Sequence, residues 1–189
     1  MEAKKIIITG GATRICSAIA KSLAGYDVDI VIHFNKSKKS AQKLKAELEE
    51  IGSKVHLIKD FKRYVKNKEA NIINIIDQRV KKLTPFFFSY TLSKAALATL
   101  TTTTAMKLAP NIRVNGISPG PTLKNKRQSE KHFKAQWRST ILQKQVDLDN
   151  ICASVKYFIE NNSITGQIVS VDSGQSLAWK TPDIINSKE

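Results

Sequence analysis

Tyr90 and Lys94 place a phenol and an ammonium group four residues apart, so on a helix they would share one face. A lysine beside a tyrosine stabilises the phenolate and lowers the pKa of the phenol, which could then serve as an acid or base near neutral pH. The spacing alone is a weak signal, because 25 of the 189 residues are lysine and Tyr64 with Lys68 repeats it.

Asp77 distinguishes the two tyrosines. It lies thirteen residues before Tyr90 and directly follows the apolar run 70–76 (ANIINII), whereas Ile51 holds the corresponding place before Tyr64. Ligands bind at the carboxyl ends of strands in doubly wound sheets. We therefore expect Asp77, Tyr90 and Lys94 to be catalytic; the alternative for Asp77 is a solvated turn residue.

The elements that must position these side chains alternate along the chain. Short runs rich in isoleucine and valine predict strands, and apolar residues at helical spacing predict helices. The alternation predicts right-handed crossovers and a doubly wound parallel α/β sheet in one domain of residues 1–189. Predicted strands are 4–9, 27–34, 55–58, 70–76, 112–117 and 167–171; predicted helices are 14–23, 37–51, 92–108, 130–140 and 147–160; a loop covers 119–126.

The first strand runs into a glycine turn, residues 9–16 (TGGATRIC), and then a helix. This arrangement offers the free N–H groups of a helix N-terminus to a pyrophosphate, although a plain connecting turn has the same appearance. The second strand ends in residues 33–37 (HFNKS), where no carboxylate stands to bind a ribose hydroxyl. Lys36 and Ser37, with Arg14 nearby, suit a 2′-phosphate instead, which favours NADP over NAD.

Taken together, these segments resemble the short-chain dehydrogenase/reductase family, and within it the pteridine reductase and dihydromonapterin reductase group. The resemblance extends to residues 115–122 (NGISPGPT), similar to a nicotinamide-side loop, and to residues 166–174 (GQIVSVDSG), similar to the closing strand. It implies a Rossmann-like fold and an NADPH-dependent reductase acting on a C=N or C=O bond, with a pterin as one candidate substrate.

The resemblance also assigns roles. Tyr90 would donate the proton, Lys94 would lower the tyrosine pKa and hold the nicotinamide ribose, and Asp77 occupies the place that most members give to serine. NADPH would be bound by Gly10, Arg14, Ile15, Asn35, Lys36, Ser37, Asp60, Pro119, Gly120 and Thr122.

Two departures from the family pattern bear on function. Cys16 stands where a third glycine would allow helix and strand to approach closely. The family's central fourth strand and its flanking helices are missing, with the junction inside residues 61–69. Either the first strand pairs directly with residues 70–76, or an internal segment is absent from this sequence. The aromatic run 86–88 (FFF) is assigned to the core rather than to the site.

Composition limits the remaining possibilities. A net charge of +15 invites a nucleic-acid hypothesis, but the lysines are scattered and only six basic residues are arginine. Two cysteines without metal-ligand spacing, and no long apolar run, favour a cytoplasmic protein with no metal and no membrane contact. Alternatives to a reductase are an inactive remnant with partial nucleotide binding, or a basic polyanion-binding module. A homo-oligomer is implied by the resemblance alone.

Overall fold

The computed structural model describes residues 4–9, 12–59 and 70–179. Within them the predicted elements are confirmed, with ends that move by a few residues. Short 3-10 helices at Gln78–Val80 and Gln175–Leu177 were not predicted. The strands are β1 (Lys4–Thr9), β2 (Val28–His33), β3 (Val55–Ile58), β4 (Ala70–Ile75), β5 (Ile112–Pro119) and β6 (Ile168–Val171); the helices are α1 (Arg14–Ser22), α2 (Lys38–Glu50), α3 (Phe88–Leu108), α4 (Glu130–Arg138) and α5 (Leu148–Glu160).

All six strands run parallel in the order β3-β2-β1-β4-β5-β6, which confirms the predicted doubly wound α/β fold. The first strand pairs directly with β4, so the sheet closes without the family's central strand. This ladder is short: three residues of β1 pair with β4, whereas six pair with β2. The backbone groups that a missing strand would leave unpaired are thus partly satisfied by β4.

The main core lies on the face of the sheet that α1, α2 and α5 cover. Alternate residues of β1 and β2 point into it, as the period of two requires, and helix side chains pack against them. On β2 the residues on the opposite face, Asp29 and Val31, are buried as well, which explains why the apolar run 30–32 does not alternate with polar residues. The most buried core members include Leu23, Ile30, Ile32, Leu48, Ile151 and Phe158.

Polar contacts fix β5 against its neighbours. The buried Asn115 side chain donates to the Ile164 carbonyl at 2.9 Å and accepts from the Gln167 amide at 3.0 Å, which ties β5 to the start of β6. The Arg113 guanidinium donates to carbonyls in the last turn of α5 and just beyond it, where the helix dipole favours a cation. Residues that follow β5 therefore emerge from a firmly held strand.

The parallel strands bring the segments after β1, β4 and β5 to one edge of the sheet, where ligands bind in this class of fold. The helix α3 returns from that edge and packs on β5. Among the described residues, no helix is long and apolar enough to cross a membrane.

Candidate active site

A cavity of about 510 Å³ opens at this edge, between the ends of β4 and β5 and the first turns of α3. Residues from five separate parts of the chain line it, which is the convergence expected at the switch point of a doubly wound sheet. Eight of the predicted site residues are brought together here: Arg14, Ile15, Asp77, Tyr90, Lys94, Pro119, Gly120 and Thr122.

Tyr90 and Asp77 form the centre of the cavity. The Tyr90 hydroxyl donates a hydrogen bond to Asp77 Oδ2 at 2.8 Å. The other carboxylate oxygen accepts from the Arg79 amide at 2.9 Å, so Asp77 also caps the 3-10 turn that follows β4. Asp77 is therefore a turn residue, as the alternative interpretation proposed, but it also contacts the catalytic candidate Tyr90. The hydrogen bond from the Arg79 amide fixes the carboxylate so that its other oxygen faces the phenol.

Lys94 lies one helical turn after Tyr90, as its spacing predicted. Its ammonium donates to the Ile75 carbonyl at 2.8 Å and lies 5.8 Å from the centre of the Tyr90 ring. Burial lowers the pKa of Lys94, and the Asp77 carboxylate partly opposes this. The last carbonyl of β4 thus anchors the lysine beside the phenol.

The predicted lowering of the tyrosine pKa is wrong for this geometry. Burial raises the pKa of Tyr90 well above its usual value, and the Asp77 carboxylate raises it further through its charge and its hydrogen bond. Arg79 and Arg14 oppose the rise but do not cancel it. The phenol therefore stays protonated while Asp77 is its partner, because a carboxylate next to it disfavours the phenolate.

The backbone after β5 forms another wall. Thr122 is buried and its hydroxyl donates to the Gly120 carbonyl at 3.1 Å, while its own carbonyl accepts from the Gln145 side chain at 2.8 Å. Gly120 passes so close to Asp172 that a Cβ would stand 2.6 Å from the Asp172 Cα. The first part of the predicted loop is therefore tightly fixed.

Arg14 lies at this cavity, where it donates to the Leu123 carbonyl at 3.1 Å. It was expected beside Lys36 and Ser37, but neither of those residues lines the cavity. Asn35 and Lys36 are exposed after β2, and Ser37 precedes α2. Gly10 and Asp60 lie outside the described residues.

The lining residues that sequence reasoning missed include Gln78, Arg79 and Phe87. The aromatic run 86–88 was assigned to the core, but all three rings are more than 60% exposed. The guanidinium of Arg79 stacks 4.5 Å above the Phe87 ring, so the ring forms part of the cavity wall. In the sequence, only the position of Arg79, two residues after Asp77, indicated that it would lie near the site.

The chain matches known proteins over most of its length. The family model described as enoyl-(acyl carrier protein) reductase matches residues 50–176. The short-chain dehydrogenase/reductase homolog YusR of Bacillus subtilis is 38% identical over 89 residues, which are 47% of this chain and 69% of that protein. A dihydromonapterin reductase of Klebsiella pneumoniae is 29% identical over 108 residues, which are 57% of this chain but only 45% of that enzyme.

Solved structures match more completely. The FolM alternative dihydrofolate reductase 1 of Brucella canis, complexed with NADP, is 32% identical, with a TM-score of 0.88 over 97% of this chain and 98% of that chain. A short chain dehydrogenase of Burkholderia cenocepacia, in complex with NADP, shares the fold at 22% identity and a TM-score of 0.76, over 91% of this chain and 97% of that chain. This chain therefore belongs to the short-chain dehydrogenase/reductase family.

Proposed function

We propose that this chain is an NADPH-dependent reductase that transfers hydride to a C=N or C=O bond of a small ring substrate, a pterin. The observation that carries the proposal is the 2.8 Å hydrogen bond from Tyr90 to Asp77 inside a cavity that Lys94 also lines. The relatives named dihydromonapterin reductase and FolM, and the NADP in the solved neighbours, support it. An inactive remnant has less support, because the three catalytic side chains still meet.

The donors at the edge of the sheet fit a dinucleotide phosphate. No acidic residue stands in the first turn of α1, and the Thr13 side chain does not cap it, so an incoming phosphate would meet neither a carboxylate nor a capping hydroxyl at that end. The Ser37 hydroxyl likewise makes no cap on α2, and Lys36 beside it is exposed. These residues would hold the phosphates, and Pro119, Gly120 and Thr122 would hold the nicotinamide side.

NADPH bound there would supply the hydride. Tyr90 supplies the proton, because its hydroxyl lines the cavity and already donates its hydrogen to Asp77 there. A substrate heteroatom that accepts this proton must replace Asp77 as the partner of the hydroxyl. Lys94 stabilises the phenolate that is left behind, and its anchor on Ile75 keeps it in reach.

Asp77 accounts for the choice of a pterin. A carboxylate can accept two N–H bonds from the amino group and ring nitrogen of an aminopyrimidine. Gln78 lies next to it, with a buried Oε1 that has no partner among the described residues. Since a buried acceptor without a partner is costly, an additional N–H donor on the substrate would relieve it.

The test is NADPH oxidation by the purified chain with a dihydropterin and with a simple carbonyl substrate. Tyr90→Phe should lower kcat by at least about a hundredfold and leave the Kd for NADPH within about twofold, because only the proton donor is removed. Tyr157→Phe is the matched control, since that exposed tyrosine lies on α5, away from the cavity. Wild-type turnover in Tyr90→Phe would refute the mechanism.

We also propose that the chain forms a homo-oligomer through α3. One arc of that helix carries four large apolar side chains that are each more than half exposed: Phe88, Leu92, Leu100 and Met106. These large apolar side chains stand among exposed threonines, and exposed apolar surface of this size favours burial against a second copy. Sedimentation equilibrium should show a dimer or tetramer, and Leu100→Lys should shift it to monomer. A wild-type chain that stays monomeric at high concentration would contradict this.

A further inference from the structure

A second cavity, of about 760 Å³, adjoins the first. The two share eight lining residues, Arg14, Arg79 and Phe87 among them, so they form one continuous space. We call the second cavity the vestibule. A ligand whose reacting ring lies beside Tyr90 has room to extend a long substituent into the vestibule.

Cations line the vestibule and carboxylates do not. Its charged residues are Arg14, Arg79, Lys82, Lys126, Arg127 and the titratable His132, and none of its lining residues is acidic. The general excess of lysine does not explain this. Arginine is rare in the chain, yet three of its six arginines meet here. Arginine is the side chain best suited to bind carboxylates and phosphates in a fixed geometry.

No ion pair among the described residues involves a cation of the vestibule, and the carboxylate of Asp77 lies in the adjoining cavity as the partner of Tyr90. Arg79 donates to Thr84 at 3.2 Å and stacks on Phe87, which are neutral partners. Lys82 and Arg127 form no ion pair with any described residue. The nearby carboxylate of Glu130 is bound at 2.5 Å by Lys124, which is not part of the vestibule.

We propose that the vestibule binds an anionic tail of the substrate, one that carries at least two negative charges. The proposal rests on the proposed function, since it assigns the tail to a substrate whose ring reacts at Tyr90. Cations crowded around one cavity repel each other, and an anion bound among them gains from all of them at once. Oligocarboxylate and phosphate tails share this chemistry.

The experiment measures the binding of three probes to the full-length chain by titration calorimetry. The probes are hydroxymethyl-dihydropterin, which is neutral, its diphosphate ester, and dihydropteroyl-triglutamate. We expect at least one anionic probe to bind about tenfold more tightly than the neutral one. In the double variant Lys82→Gln/Arg127→Gln that anionic probe should lose at least about tenfold in affinity, and the neutral probe less than about twofold. The anionic probe that responds identifies the kind of tail.

The matched control is Lys131→Gln/Lys134→Gln, which removes the same charge from exposed positions of α4 outside the vestibule. It should leave all three affinities within about twofold. If the two double variants behave alike, or if neither anionic probe binds more tightly than the neutral one, the vestibule has no such role.

NADPH oxidation with the same probes separates this inference from the proposed function. Binding that depends on Lys82 and Arg127 without any turnover would keep the vestibule as an anion site and reject the reductase. If all three probes are turned over, and if their KM values are equal in the wild type and in Lys82→Gln/Arg127→Gln, the reductase function stands and the proposed anion site in the vestibule is refuted.

Discussion

Gly120 lies where the backbone after β5 passes against Asp172, and this contact makes a sharp prediction for Gly120→Ala. A Cβ at this position would stand 2.6 Å from the Asp172 Cα and 2.8 Å from its carbonyl oxygen. Non-bonded carbon atoms need about 3.5 Å or more. Since both obstacles are backbone atoms, no rotamer change can relieve the contact, and the two segments must separate by roughly 1 Å.

Overpacking of this kind costs about 1 to 3 kcal/mol, and a clash with backbone belongs at the upper end. For a chain of this size each kcal/mol lowers Tm by about 2 to 4 °C, so Gly120→Ala should lower it by roughly 5 to 10 °C. Gly116→Ala is the control, four residues earlier, on β5 itself. Its Cβ would also meet an atom at 2.6 Å, but that atom is the terminal methyl of Ile76, which can turn away.

The assay is thermal unfolding of both variants and the wild type, followed by far-ultraviolet circular dichroism. Gly116→Ala should lower Tm by less than half as much as Gly120→Ala. The Gly120 variant should also bind NADPH more weakly, because it displaces the wall that Thr122 stabilises. Equal melting temperatures in the two variants would show that the close approach to Asp172 is not a constraint on the fold.

Two further predictions concern the reaction centre and the cofactor. Asp77→Asn removes the charge that disfavours the phenolate, so the pKa of Tyr90 should fall and the alkaline limb of the pH–rate profile should move to lower pH; an unmoved limb would exclude Asp77 as a cause. The double variant Lys36→Ala/Ser37→Ala should weaken NADPH binding by at least about tenfold and leave NADH within about twofold. Equal losses for both cofactors, measured by fluorescence titration, would contradict the assignment of that turn.

The strands could be predicted because strands of a parallel sheet are buried on both faces and therefore stand out in the sequence as short runs of β-branched residues. The runs 4–9 and 55–58 coincide with β1 and β3, and other strand ends differ by one or two residues. The helix α3 is the exception. It begins at Phe88 rather than Leu92, and the residue before it, Phe87, takes a left-handed conformation and makes no side-chain cap. Nothing in the local sequence marks such a start, because the usual capping residues are absent.

The site was predictable where chain order places residues at strand ends. Asp77 and Tyr90 meet because β4 ends beside the first turn of α3. The position of Arg14 was not predictable, since its partner Leu123 lies 109 residues away. The exposure of Phe87 also depends on tertiary structure, because a run of aromatics usually belongs to the core. The direction of the Tyr90 pKa shift could not be predicted from the sequence, because it depends on the burial of the phenol and on its hydrogen bond to the Asp77 carboxylate.

The short ladder between β1 and β4 divides the sheet into two halves, each continuous along the chain. The glycine turn and Ser37 belong to the first half, and Asp77, Tyr90 and Gly120 belong to the second. A dinucleotide bound along this edge would span the seam and contact both halves. Thermodynamic linkage then couples ligand binding to the pairing of β1 with β4. A change that loosens this pairing must weaken ligand binding by the same free energy that the bound ligand contributes to holding the two halves together.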